Sequence, residues 1–129
     1  MYELTQYEAL DLARSVLNAI QNDIQLAFAV FTAYLVCAYS AGAKLTTFQV
    51  SVVNTGFLAF QGYALFGFFG DFDVVKGLWV HAGVIPVESR NEMSLFEMIV
   101  AVFGVGAILA SLSFMWSVRH PKTAAGNGD

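Results

Sequence analysis

The chain has 129 residues, of which 57% are hydrophobic and only 12% charged, with a formal net charge of −4. A mean hydropathy of +0.63 lies outside the usual range of a soluble domain of this length, and the net charge of −4 with a pI of about 4.9 opposes approach to nucleic-acid phosphate, so no nucleic-acid partner is expected. The two histidines stand far apart, and there is no H-E-x-x-H pattern, glycine-rich phosphate loop or activated serine or cysteine arrangement, so neither enzyme activity nor a cofactor is expected.

The pattern predicts an all-α integral membrane protein with three transmembrane helices, the first preceded by an amphipathic helix that runs into it without a break. Residues 1–23 form the extramembrane helical part, 24–118 the membrane domain and 119–129 a polar tail. The start, Met1 to Leu4, lacks the basic segment of a secretory signal and is expected to be retained. Thr5 and Glu8 then form a capping-box pair that opens a helix near Gln6. Its polar face, with Glu8, Asp11, Arg14, Ser15, Asn18, Gln21 and Asn22, has too few cations to rest on anionic headgroups, which points to packing against protein.

No Gly or Pro interrupts residues 6–41. Leu10, Ala13, Leu17, Ile20, Ile24, Ala27, Phe31, Tyr34 and Ala38 step alternately by three and four, one continuous seam through the amphipathic part and the first span, 24–41. A second ladder, Ala29, Ala33, Cys37 and Ala41, is made of small residues that admit close helix approach. Cys37 is the sole cysteine, which excludes an intrachain disulfide and fits a small packing residue. Gly42 is the expected stop, and Thr46 with Gln49 caps the next helix, so a tight hairpin follows.

Residues 45–70 contain no Asp, Glu, Lys, Arg or His, and this stretch is long enough to cross a hydrocarbon layer of about 30 Å. The expected second span is 47–70. Asn54 and Gln61 lie seven residues apart on one face, with Ser51 and Thr55 beside them. An unpaired amide is costly in hydrocarbon, so this face is expected to meet protein or to line a water-filled path. Ser51, Thr55 and Ala59 form a small ladder expected to meet the one on the first span.

Residues 71–93 read as a long loop, partly helical where Val74, Val75, Leu78, Trp79 and Ala82 share a face, and ended by Pro86. Asp71, Asp73 and His81 lack the further ligands of a metal site, and none is expected. Ser94 and Glu97 form a third capping box and open the last span, 95–118. Glu97 is read as a cap in the first turn. Gly106 with Ala110, and Ala107 with Ser111, are helix-packing pairs. Trp116 marks the far interface, followed by Arg119, His120 and Lys122 as a basic flank.

Three spans put the long loop and the N-terminus on one side, with Asp71, Asp73 and Glu97 in an acidic mouth that would attract cations. Arg14, Lys76 and Arg90 on that side equal Lys44, Arg119 and Lys122 on the other in number, but the latter lie nearer the spans. The expectation is a bacterial cytoplasmic membrane protein with its C-terminus inside. Its ladders exceed what one protomer needs, which suggests a homo-oligomer in contact with lipids. Three functional classes fit: a channel or pore-like assembly, an accessory subunit bound to another membrane protein, and a phage-type permeabilising protein.

Overall fold

The computed structural model describes residues 3–122, so Met1, Tyr2 and the end of the expected polar tail lie outside the described residues. The described part is all-helical, with three helices long and apolar enough to cross a membrane. They are α1 (Gln6–Ala41, 36 residues), α2 (Thr47–His81, 35 residues) and α3 (Leu95–Arg119, 25 residues). Short 3-10 turns occupy Gly42–Lys44 and Val87–Asn91.

Each long helix begins where the sequence places a capping box. The hydroxyls of Thr5, Thr46 and Ser94 accept from the backbone N–H of Glu8, Gln49 and Glu97, whose side chains accept in return from the cap N–H. This satisfies donors that the first helical turn leaves without an intrahelical partner.

α1 is unbroken, as expected, and spans about 54 Å. Of its seam, Ala13, Ile20, Tyr34 and Ala38 are buried and Leu17, Ile24, Ala27 and Phe31 half-buried. Leu10 is 38% exposed, and Ala9, fully buried, takes its place.

α2 departs from the expectation. It passes through Gly70 and continues to His81, so Asp71 and Asp73 stand on a helix and the connection to α3 shortens to 82–94. Gly70 costs a helix about 1 kcal/mol relative to alanine, which the burial of Phe68, Phe72 and Val75 against Ala13 and Ile20 of α1 outweighs. Nor is Pro86 the terminator. Gly83, with φ of 75°, turns the chain while its N–H bonds to Val80 O at 3.0 Å and that of Val84 to Trp79 O at 2.9 Å, the two bonds of a Schellman ending.

The helices alternate in direction. One end is tied by Arg119, whose Nη1 donates to the carbonyls of Gly42 (3.0 Å) and Leu45, capping the α1–α2 turn from α3. At Gly42 φ is −54°, so glycine is needed there for space: a Cβ would stand 3.2 Å from Met115 Sδ and from Val118 Cγ1. At the other end Gln6 Nε2 donates to Ala82 O at 2.9 Å, and His81 Nε2 lies 2.7 Å from Leu4 O. α3 is shorter, at about 38 Å, and its first turn lies beside Lys76 near the end of α2.

The core forms two clusters. The half away from the α1–α2 turn holds Ala13, Ile20, Phe68, Phe72 and Val75, and the half near the turn holds Tyr34, Ala38, Phe57 and Met115. The two small ladders do not meet. Ala29, Ala33, Ser51, Thr55 and Ala59 are all exposed, because α1 and α2 instead pack larger side chains, Phe68, Phe72 and Phe57 among them, around Ala13 and Ala38.

Candidate functional site

The two amides on α2 are both used inside the protomer. Tyr34 donates its hydroxyl to Asn54 Oδ1 at 2.7 Å, and its ring stacks on Phe57 with centroids 4.1 Å apart. Gln61 Nε2 donates to Ala27 O at 3.0 Å. Seven residues of helix separate these bonds by about 10 Å, so they fasten α2 to α1 at two heights. The shared face was legible in the sequence. Its partner is α1, whose seam supplies both Tyr34 and Ala27. Ser51 and Thr55 are exposed on the same helix and make no hydrogen bond with this pair.

The acidic groups do not act as a free cluster. Glu97 is 4% exposed and lies beside Lys76 of α2, itself 8% exposed. Lys76 Nζ stands 3.0 Å from Oε1 and 3.2 Å from Oε2, and donates further to Glu92 O at 3.4 Å. Glu97 Oε2 also accepts from Ser94 N–H at 2.8 Å, so one carboxylate caps α3 and joins α3 to α2. Lys76 belongs to the stretch that reads as a loop in the sequence; with α2 extended it falls on the buried face with Phe72 and Val75. Its ammonium lies 5.8 Å from the Phe72 ring centroid. Beneath the pair, Phe96 packs on Phe68 and Phe72 with centroids 5.7 Å away in each case. Asp73 is 3.7 Å from Arg90, both half-exposed, and Asp71 is half-buried with no ion pair among the described residues. Gly77 leaves room for the guanidinium, since a Cβ there would meet Arg90 Nη2 at 3.2 Å.

The packing residues named from sequence divide in two. Cys37 and Ala41 are half-buried, and Ser111 is fully buried with its hydroxyl bonded to Ala107 O at 2.7 Å. Gly106 and Ala110 face outward with Ala29 and Ala33. An open cleft of about 350 Å³ separates the middle of α1 from α3, with Phe28, Phe31, Leu65 and Phe103 on its walls, Gln61 within it and Asp23 among its lining residues. α3 comes close to α2 at Gly104, where a Cβ would stand 3.0 Å from Leu65 Cδ1.

Among the described residues no group of three or more His, Cys, Asp and Glu side chains is arranged to hold a metal ion. Comparison with protein-family models, with curated proteins and with solved structures finds no match for this chain.

Proposed function

We propose that this protein is an integral membrane assembly subunit, which packs against further copies of itself through outward stripes of small residues and has its C-terminus on the cytoplasmic side. Three long apolar helices support the membrane setting. The observation that carries the assembly reading is the placement of the glycines. A Cβ added at Gly56, Gly62 or Gly106 would meet nothing within 4 Å. Each such glycine costs a helix about 1 kcal/mol relative to alanine, and the protomer gains no close approach in return. A neighbouring helix would. On α3 the stripe extends as Gly106, Ala110, Ser113 and Ser117, all exposed at three- and four-residue steps, and α1 presents Ala29 and Ala33.

Native mass measured after extraction into nanodiscs and into mild detergent tests the reading, with Gly106→Leu and Ala110→Phe as variants. A discrete self-assembled species that shifts toward monomer in the variants, with helix content unchanged, is the expected result. Monodisperse wild-type monomer in both media refutes it. A fixed ratio to a foreign subunit would instead make the chain an accessory protein. That second reading draws on the two amides: each makes one bond to α1 within the protomer, which suits a packing role better than a conduction pathway.

A further inference from the structure

We propose that the cavity between the start of α2 and the end of α3 binds the headgroup of an anionic glycerophospholipid. This inference rests on the membrane setting of the proposed function, and does not depend on self-assembly.

The cavity measures about 340 Å³ and opens at the end of the bundle tied by Arg119. Its polar lining is Thr47, Ser51, Asn54, Arg119 and His120, with no carboxylate among the lining residues. All but His120 offer donors. Arg119 spends Nη1 on Gly42 and Leu45, which fixes the guanidinium, while Nε and Nη2 have no protein partner. Asn54 uses Oδ1 as the acceptor for Tyr34, so its Nδ2 donors are unspent. The hydroxyls of Thr47 and Ser51 make no bond to protein. His120 is held by Trp116 twice, through a ring stack at 3.9 Å and an Nδ1–H bond to Trp116 O at 3.1 Å; that bond uses the one N–H of the neutral ring, so His120 lines the cavity without adding a donor. Unspent donors around a fixed guanidinium, with no acid beside them, suit a phosphate.

The rest of the lining selects a lipid over a free anion. Val50, Leu112 and Met115 form an apolar wall that inorganic phosphate would leave uncovered, whereas the glycerol and first acyl carbons of a phospholipid would cover it. Trp116 and the basic residues Lys44, Arg119 and Lys122 suit this end to the membrane surface, on the side that the proposed orientation makes cytoplasmic, where anionic lipids concentrate. The larger cleft beside α1 is a poor rival. It is apolar, and its one charged lining residue, Asp23, would repel a phosphate.

The test reconstitutes the full chain in nanodiscs containing both phosphatidylcholine and phosphatidylglycerol, and counts the phospholipids that native mass spectrometry finds retained. Phosphatidylglycerol should be enriched about fivefold over its bulk share, the factor that one basic contact worth about 1 kcal/mol supplies. Ser51→Phe, which fills the cavity, should abolish the enrichment, and Asn54→Leu should reduce it, with helix content unchanged in both. Arg119→Gln is less informative because it also releases the turn. Retention in proportion to bulk lipid, or enrichment that survives Ser51→Phe, overturns the proposal. So does release of the lipid by millimolar inorganic phosphate, which would assign the cavity to a free anion. Failure of the wild-type chain to enter any nanodisc refutes the membrane setting itself, and this inference with it.

Discussion

Replacing Glu97 by Gln should destabilise the protein without uncapping α3. A Gln amide oxygen can still accept the Ser94 N–H bond now made at 2.8 Å, so the substitution keeps the cap while it removes the charge and sets an N–H donor where Oε1 faces Lys76. Lys76 would then remain 8% exposed with its ammonium unpaired. At the 3.0 Å separation of Nζ and Oε1, an effective dielectric of about 20 gives a gross attraction of roughly 5 to 6 kcal/mol, much of it offset by desolvation of both ions. Breaking such a pair from one side costs about 3 kcal/mol, a factor of about a hundred in the folding equilibrium. Lys76→Met, which keeps the aliphatic stem over Phe72, should cost a similar amount. The double variant should lose far less than the sum, because neither charge is left stranded. Equilibrium unfolding of the four proteins in one mixed micelle measures this cycle. Losses that add within about 0.5 kcal/mol would refute the reasoning, since they would mean that the two groups do not interact.

Three further outcomes follow from the packing. Tyr34→Phe and Asn54→Leu should each cost about 1 kcal/mol in unfolding, and their combination little more than either alone, because both remove one interhelical bond. Gly42→Val should cost about 1 to 3 kcal/mol by pressing on Met115 and Val118, and disulfide trapping between cysteines placed at positions 43 and 120 should slow as the turn and α3 separate. Gly83→Val forces a β-branched residue into a φ of 75°, with a penalty of about 1 to 3 kcal/mol, and hydrogen exchange at the amides of residues 83 and 84 should speed up while α3 keeps its protection.

Much of the backbone course was readable because it depends on local chemistry. Three capping boxes set three helix starts, and the alternating steps of three and four through α1 identified the buried seam. The end of α2 was harder. Gly70, Asp71 and Asp73 carry the composition of a loop, while Phe68, Phe72, Val75 and Trp79 keep helical spacing through them, and tertiary burial resolves the conflict in favour of the helix. The Lys76–Glu97 pair joins residues 21 apart across a connection whose path no local pattern specifies. Likewise, the common face of Asn54 and Gln61 follows from their spacing, but the choice of α1 as partner depends on which faces of three helices are largest and most apolar.

The ties at the two ends of the α1–α2 hairpin have a mechanical consequence. Leu4 and Gln6 are bound to His81 and Ala82 at the tip, and Arg119 grips the turn at the base. If one helix slid past the other by a single residue, about 1.5 Å, the bonds at the tip would break together with those to Asn54 and Gln61. The pair is therefore braced against shear: the helices could slide only by giving up the ties at both ends and in the middle at once.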